Sequence, residues 1–404
     1  MSPESATRHT TSQPRSLSGH PVGLDWITRL LRVDTTSRDS NLPLIDLVVA
    51  ELRAHGVESA LVHNEDGTKA NLLATFPAAD GTTTGGIVLS GHTDVVPVDG
   101  QQWSSDPFAP EIRDGRLYGR GTCDMKGFIG SVLARVPELA DAPLREPVHL
   151  ALSYDEEVGC VGAISLVDEI VRRELRPRAC IVGEPTSMRV ITGHKSLTMI
   201  RVAFHGVAAH SSRTPHGVNA IEHAAQLVRF VRGVADQFRT EGPFDEHHDV
   251  PFTTATVNQI EGGIAVNTVP AVCTLTFEFR AIAGVDVDAT IEKFYAEARR
   301  IEQSMQQENP SARVEVSIGA QAPGLDTPQG EDVIEFVSGL GGAASSEKVA
   351  YGTEAGLFQR AGIPTVVCGP GDIAQAHAPD EFVEIDQLHR CDALLDALLS
   401  HLRG

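Results

Sequence analysis

The sequence predicts an α/β protein in which a larger three-layer α/β domain carries an inserted split-βαβ domain of the ferredoxin-like kind. Two observations lead to this fold class. Apolar runs alternate with helical stretches through the first half of the 404-residue chain, as in sheets covered by helices. Near Gly193 the order becomes β-α-β-β-α-β, and the first pattern resumes after about Gly324. The predicted segments are a disordered tail over 1–20, the larger domain over 21–192 and 323–404, and the inserted domain over 193–322.

The elements of the larger domain follow from the spacing of apolar residues. Helices are predicted over 26–33, 43–55, 126–139 and 388–402, and strands over 86–89, 148–152, 179–182 and 364–368. Because the strand segments are short and almost wholly apolar, we expect them to be buried in a sheet with helices packed against it.

The inserted domain is predicted from a second set of patterns. Strands are expected over 197–204, 253–259, 272–280 and 314–318. A helix over 219–238 places apolar residues on one face, among them Ile221, Ala224 and Val228. A second helix aligns Ile291, Phe294, Tyr295, Ala298 and Ile301 in the same way.

Composition excludes several classes of function. The net charge of −21 disfavours binding to nucleic acid or to an anionic membrane, both of which attract basic surfaces. No segment approaches the roughly 18 consecutive apolar residues of a membrane span. The first twenty residues contain no apolar run like that of a secretory signal. The six cysteines are scattered without a C-x-x-C pair, so we expect free thiols and a cytoplasmic location.

His92 and Asp94 are the first candidates for chemistry, because they follow the apolar run 87–89 directly. Side chains two residues apart in an extended chain point to the same side, so Asp94 can accept the second N–H of a ligating imidazole. The alternative is a loop histidine beside a turn-forming aspartate.

Asp124 and the run Asp155, Glu156, Glu157 are the next candidates. Asp124 precedes a predicted helix, where it would either cap the helix or bridge two cations with its two carboxylate oxygens. Three adjacent carboxylates repel one another unless a cation lies among them or the loop is solvated. In a metal site, Glu157 would be a ligand and Glu156 a general base.

Glu184 follows another predicted strand, and His377 lies a short loop beyond the strand 364–368. Each alone would be an ordinary polar residue. Together with the earlier candidates they form a set of ligand-type side chains placed after strands of one domain: His92, Asp124, Glu157, Glu184 and His377. Mixed imidazole and carboxylate ligands suit zinc, cobalt or manganese. Cys123 is a further, less favoured ligand.

At this point the sequence resembles the dinuclear-zinc aminoacylase and metallopeptidase family from about residue 24 to its end. The resemblance is carried by SGHTDVVPVDG (90–100), GRLYGRGTCDMKG (115–127), SYDEEVGC (153–160), VGEPTS (182–187) and GVAAHSSRTPHGVNAIE (206–222). The string over 351–384 is most similar to the acetylornithine deacetylase branch of that family.

The resemblance implies two Zn²⁺ per subunit, with Co²⁺ able to substitute. One ion would be held by His92 and Glu184, the other by Glu157 and His377, with Asp124 bridging them. Asp94 would orient His92, and Glu156 would be the base. The inserted domain would be a lid that forms a homodimer, and its His210 would reach the partner subunit's site. The residues implied to contact substrate are Asn267, Arg280, Gly352 and Thr353.

Glu354 adds a hypothesis of our own. An anionic side chain beside Thr353 would recognise the δ-ammonium group of ornithine, and the alternative is a hydrogen-bonding role behind the ligands.

The function implied by the resemblance is hydrolysis of the N-acetyl amide of N2-acetyl-L-ornithine in arginine biosynthesis. The expected binding partners are a small N-acyl amino-acid substrate and a second subunit of the same protein. The alternatives are another N-acyl amino-acid deacylase, a desuccinylase or a dipeptidase. A non-catalytic protein on the same scaffold is disfavoured, because Glu156 and all five candidate ligands are present.

Overall fold

A six-stranded sheet forms the centre of the larger part of the molecule. The computed structural model describes residues 19–403, and in it the strands of this sheet are buried at nearly every position except in the edge strand Ser59–His63. In sheet order they are Ser59–His63, Ala70–Phe76, Val148–Ser153, Ile87–His92, Ala179–Val182 and Thr365–Val367. The last four are mutually parallel. Their carboxyl ends therefore meet at one edge of the sheet.

Alternate side chains of these strands enter two separate apolar cores. Leu89 and Leu150 lie in one core, while Val88 and Ala151 lie in the other. The first core is completed by helices Leu24–Leu31, Leu42–Ala54, Lys126–Leu133, Val136–Asp141, Asp332–Gly339 and Ile385–Arg403. The second is completed by Val161–Arg172 and Ala355–Arg360. Helices on both faces of one sheet confirm the predicted three-layer α/β architecture.

A four-stranded antiparallel sheet forms the smaller part. Its strands, in sheet order, are Thr254–Gly262, Val272–Arg280, Leu197–His205 and Arg313–Ala322. Burial alternates along the two central strands, because one face packs on helices Ala220–Glu241 and Val287–Glu308. In chain order these elements are β-α-β-β-α-β, which confirms the predicted split-βαβ fold. The segment limits 21–192, 193–322 and 323–404 remain a prediction.

One predicted helix is wrong as a single element. Residues 126–139 form two helices, Lys126–Leu133 and Val136–Asp141, separated by a turn at Ala134 and Arg135. Pro137 lies in the first turn of the second helix. Because proline has no N–H to donate, it cannot extend the first helix but suits the start of a new one.

Short elements border these two sheets. They are strands Glu111–Arg113, Arg116–Tyr118, Arg189–Val190, Gly193–His194, Leu325–Asp326, Ala343–Ala344 and Phe382–Glu384, and 3₁₀ turns Ser211–His216 and Ile373–Gln375. All six cysteines are buried and free, as expected. Between residues 19 and 403, no helix is both long and apolar enough to span a bilayer. Residues 1–18 of the predicted tail lie outside the described residues.

The aromatic centre of the small sheet gives a stability prediction. Phe294 is buried, and its ring centroid lies 4.8 Å from that of Phe277 and 5.9 Å from that of Phe279. Phe294→Ala removes these contacts and leaves a cavity, so we expect a loss of about 3–5 kcal/mol in the free energy of unfolding. Denaturant unfolding measures it. Phe244→Ala, at a half-exposed phenylalanine, is the control, and an equal loss there would contradict the assignment.

Candidate metal centre

The ligand-type residues predicted from sequence lie together beyond the carboxyl ends of the parallel strands. His92 is the last residue of strand Ile87–His92, Glu157 follows strand Val148–Ser153, and Glu184 follows strand Ala179–Val182. Asp124 immediately precedes Met125, the residue before helix Lys126–Leu133, and His377 follows the 3₁₀ turn Ile373–Gln375. A crevice at this edge is where α/β proteins place their ligands.

The carboxylate of Asp124 lies at the centre of this group. Its Oδ1 is 2.9 Å from Nε2 of His92, and its Oδ2 is 3.2 Å from Nε2 of His377. On the first side, Nε2 of His92 also lies 3.6 Å from Oε1 of Glu184. On the second, Nε2 of His377 lies 3.0 Å from Oε2 of Glu157. The two oxygens of one carboxylate therefore face two separate imidazole–carboxylate pairs.

Asp124 does not cap the helix that follows it. The capping position is Met125, which makes no side-chain hydrogen bond to the helix. The geometry therefore does not support the alternative in which Asp124 caps the helix. The Sγ atom of Cys123 donates to the main-chain oxygen of Asp372 at 3.3 Å, so the thiol is engaged outside the cluster. Burial raises the pKa of Cys123 well above its usual value, which disfavours the thiolate that a ligand needs.

Burial and crowding strongly disfavour the charged forms of several carboxylates in the cluster. Burial, with the nearby charge of Asp124, raises the pKa of Glu157 to about 7 and that of Glu184 well above its usual value. Burial is also the main cause that raises the pKa of Glu156 to about 8. For Asp124, burial is outweighed by the hydrogen bonds from His377 and His92, which lower its pKa.

The histidines show the opposite effect. Hydrogen bonds to Asp124 and Glu157 raise the pKa of His377 to about 10. Burial opposes charge on His92, but the carboxylates of Asp124, Asp94 and Glu184 raise its pKa well above the usual value. The cluster therefore favours added positive charge, which protons or divalent cations can supply.

The donor set fits divalent cations. Two overlapping groups, His92 with Asp124 and Glu157, and His92 with Glu156 and Glu184, each offer atoms within 4.8 Å of one another. Imidazole and carboxylate ligands with no thiolate among them suit zinc or similar ions. The side chain of His377 is 50% exposed whereas that of His92 is fully buried, so the site opens on the His377 side.

Asp94 connects His92 to the loop that carries the acidic run. Nδ1 of His92 donates to the main-chain oxygen of Asp94 at 3.0 Å, while the Asp94 carboxylate lies 3.7 Å away. That carboxylate accepts N–H bonds from Glu156 and Glu157 and a hydroxyl bond from Ser37. Asp94 thus contacts His92 through its backbone and holds the loop through its side chain. Nothing in the sequence pattern identified Ser37.

Glu156 is buried beside the ligands, where a general base was predicted. Its Oε1 accepts a hydrogen bond from the thiol of Cys160 at 3.1 Å. Asp155, by contrast, pairs with Lys69. The three adjacent acids therefore have three different environments, although the sequence shows only a run of like charges.

Three of the residues predicted to contact substrate, Gly352, Thr353 and Arg280, lie around His194 and Lys195. Thr353 is buried, with its Oγ1 3.1 Å from Nε2 of His194. Nε of Arg280 donates to Glu278 at 3.1 Å. Burial, together with the nearby charge of Arg280, lowers the pKa of Lys195 to about 8. Gly352 lies over the backbone of Lys195, where a Cβ atom would be 3.4 Å from its carbonyl oxygen.

Glu354 is fully buried behind the candidate metal ligands. Its two oxygens accept hydrogen bonds from Ser90 at 2.6 Å and from Ser153 at 2.5 Å. These serines belong to the strands that end in His92 and lead to the acidic loop. This geometry favours the hydrogen-bonding role over recognition of a substrate ammonium group.

His210 and Asn267 lie on the small-sheet side, and both are exposed. They are neighbours, since the N–H of Ser211 donates to the Asn267 carbonyl oxygen at 2.9 Å and His210 pairs with Thr268. Among residues 19–403, no hydrogen bond or ion pair joins either residue to the metal-ligand cluster.

Comparison with known proteins assigns the family. Residues 88–401 match the family described as peptidase family M20/M25/M40. The chain belongs to this family. It is 33% identical over 380 residues to the acetylornithine deacetylase of Myxococcus xanthus, which covers 94% of this chain and 97% of that relative. Membership of family M20/M25/M40 makes the chain a hydrolase that acts on amides, in keeping with its metal-ligand cluster.

Solved structures agree on the fold of the family. An M20 family metallo-carboxypeptidase from Sulfolobus solfataricus matches with a TM-score of 0.75 at 19% identity, over 94% of this chain and 99% of that one. A dinuclear metal-binding M20 peptidase from Bacillus subtilis matches with a TM-score of 0.64 at 13% identity, over 94% and 97% of the chains.

Asp124→Asn tests the central position of Asp124. The amide keeps the shape of the side chain but loses the charge that two cations would share. Because losing even an outer partner of a ligand costs about 10–100-fold in metal affinity, we expect at least that loss for both ions. Calorimetric titration of the chelator-stripped protein with Zn²⁺ measures it. The exposed Asp80→Asn is the control, and retained binding of both ions by Asp124→Asn would contradict the central position.

Proposed function

We propose that this protein hydrolyses the N-acetyl amide of N2-acetyl-L-ornithine to L-ornithine and acetate, in the cytoplasm and as a step of arginine biosynthesis. The observation that carries the hydrolytic part is the pair of imidazole–carboxylate groups on either side of Asp124, with Glu156 beside them. The substrate rests on the likeness to the acetylornithine deacetylase of Myxococcus xanthus, which extends over 94% of this chain.

His92 and Glu184 would hold one ion, Glu157 and His377 the second, and Asp124 would contact both. We propose zinc as the metal, with cobalt able to replace it, because the donors are imidazole and carboxylate. When bound, two such ions supply Lewis acidity toward the attacking water and the acetyl carbonyl. The deep burial of His92 and the openness at His377 would let small substrates approach from the His377 side.

Glu156 is proposed to move the protons of the reaction. It takes a proton from the attacking water and later delivers it to the leaving amine, since the same carboxyl group can serve as base and then as acid. Two contacts support this role: the Asp94 carboxylate fixes the Glu156 backbone N–H at 3.1 Å, and Cys160 holds one carboxylate oxygen. The other two acids of the run are engaged with Lys69 and His377.

Arg280, Gly352 and Thr353 are proposed to bind the amino-acid part of the substrate, with Asn267 contributing from the small-sheet side. A guanidinium group can grip a carboxylate with two parallel hydrogen bonds, which fixes its orientation as well as its charge. The neighbouring Lys195 adds positive charge beside Arg280. An anionic α-carboxylate suits this environment.

A homodimer through the small sheet is proposed to complete the site. His210 and Asn267 are exposed, and within residues 19–403 no hydrogen bond or ion pair joins them to the ligand cluster of their own chain. The same loop exposes Ile264 and Val266 almost completely, and apolar side chains exposed to this degree are favourable when a partner covers them. His210 of one protomer would then donate a hydrogen bond to the developing oxyanion in the other.

A substrate panel tests the proposed reaction. The zinc-loaded and cobalt-loaded protein should hydrolyse N2-acetyl-L-ornithine with a kcat/KM above those for N-acetylmethionine, succinyl-diaminopimelate and a dipeptide. Glu156→Gln should lower kcat by about 10²–10⁴-fold, because the proton acceptor is lost. Asp155→Asn is the matched control and should lower it by clearly less. A higher kcat/KM for another substrate of the panel would mean that the proposed substrate is wrong and that the protein acts on that other class. Full activity of Glu156→Gln would refute the assignment of Glu156 as the base.

Mixing two inactive variants tests the contribution of the partner subunit. His210→Ala and Glu156→Gln dimers, each with little activity, are mixed, dissociated and reassociated. If His210 acts across the interface, each mixed dimer holds one intact site, and random pairing restores roughly a quarter of the original activity. If His210 acts within its own chain, or the protein is a monomer, mixing restores none.

A further inference from the structure

A buried ion pair lies beneath the loops that carry Asp124 and His377. Arg120 and Glu381 have side chains that are each only 1% exposed, and Nη1 of Arg120 donates to Oε2 of Glu381 at 2.6 Å. Neither residue is among the metal ligands. Both lie close to one in the sequence, since Arg120 precedes Asp124 by four residues and Glu381 follows His377 by four.

The second carboxylate oxygen of Glu381 binds the backbone of the Asp124 loop. Oε1 accepts N–H bonds from Gly121 at 3.0 Å, Cys123 at 3.0 Å and Asp124 at 3.2 Å. Several N–H groups of one turn that converge on a single oxygen form an anion-binding concavity. The loop therefore has its shape set by a carboxylate from the other end of the chain.

Arg120 extends the same connection to His377. Its Nη2 donates to Oε1 of Gln101 at 2.7 Å, and Nε2 of Gln101 donates to the main-chain oxygen of His377 at 2.9 Å. His377 has a φ of 61°, in the left-handed region that residues other than glycine seldom adopt. Such a conformation persists where the surroundings hold it, and the bond from Gln101 is one such restraint.

We propose that Arg120 and Glu381 act as a positioning pair that sets the spacing between Asp124 and His377. Both ligands lie in loops outside regular helices and strands, so the sheet alone does not fix their separation. One network of hydrogen bonds runs from the backbone of Asp124 through Glu381, Arg120 and Gln101 to the backbone of His377. Ligands held in place before the metal arrives bind it with less loss of conformational freedom.

This inference rests on the proposed metal site and is tested by metal affinity rather than by activity. Glu381→Gln removes the negative charge that faces Arg120. It also places an amide N–H₂ group, which can only donate, among N–H groups that themselves donate. Loss of such an outer partner typically weakens metal binding by about 10–100-fold. Because Asp124 serves both ions, we expect Glu381→Gln to weaken the binding of both Zn²⁺ ions. Gln101→Ala should weaken mainly the ion held by Glu157 and His377.

The experiment strips the full-length protein of metal with a chelator and titrates it with Zn²⁺ against a chromophoric competitor. Circular dichroism and thermal unfolding report whether each variant is folded. Asp392→Asn is the matched control, because Asp392 is another largely buried carboxylate paired with a buried arginine, Arg135, and it also binds a backbone N–H, that of Val22. Asp392→Asn should lower the stability of the fold, because it disturbs a buried ion pair. Both Zn²⁺ affinities should stay within about threefold of those of the unaltered protein, because Asp392 contacts neither ligand loop.

The outcomes separate three cases. The proposal is overturned if the Glu381→Gln variant folds and binds both ions as tightly as the unaltered protein. It is also overturned if Asp392→Asn loses as much Zn²⁺ affinity as Glu381→Gln does. If Glu381→Gln does not fold, Gln101→Ala decides, and unchanged Zn²⁺ binding by that variant overturns the proposal. Failure of the unaltered protein to bind Zn²⁺ refutes the proposed function itself, which is a different result.

Discussion

The concentration of negative charge at one edge of the large sheet is the constraint on which the rest of the structure depends. Asp124, Glu156, Glu157 and Glu184 share a buried cluster that, within residues 19–403, is faced by only two imidazoles, those of His92 and His377. Burial and mutual repulsion disfavour so many charges in one place. The cluster exists because parallel strands direct their carboxyl ends to the same edge, and because that edge is backed by apolar layers on both faces.

The buried carboxylates around this edge fall into two groups by what they bind. Asp94, Glu354 and Glu381 are satisfied by the chain itself, through backbone N–H groups, serine hydroxyls or an arginine. Buried charges in proteins are normally paired in this way. Those of the cluster instead face one another and the two histidines. Apart from the Cys160 thiol that donates to Glu156, the cluster carboxylates have only these two histidines as partners within residues 19–403. They are thus the ones available to a cation, whereas the satisfied carboxylates shape the loops around it.

Much of this arrangement could be predicted from sequence, because four of the five candidate ligands stand at or after an apolar strand and parallel strands bring such positions together; Asp124 instead precedes a helix. The family's motifs then added roles for residues such as His210 and Arg280. The apolar periodicity over 126–139 overlooked the helix break that Pro137 signals. It also could not show that Glu354 turns inward to Ser90 and Ser153. They also gave no sign of Arg120 and Glu381, whose role depends on contacts between distant parts of the chain. Whether an acidic side chain lies in the interior or on the surface depends on tertiary packing, which the periodicity of apolar residues does not encode.

The position of strand Thr365–Val367 has a consequence for biosynthesis. It is an edge strand of the large sheet, and it pairs in parallel with Ala179–Val182, although the whole four-stranded sheet is made between them. As the polypeptide leaves the ribosome, the small sheet has all its strands well before the large one does. The nascent chain therefore has an incomplete parallel sheet, and lacks the candidate ligand His377, until residues 365–377 have been synthesised. All five candidate ligands are therefore present together only after the small sheet has been synthesised.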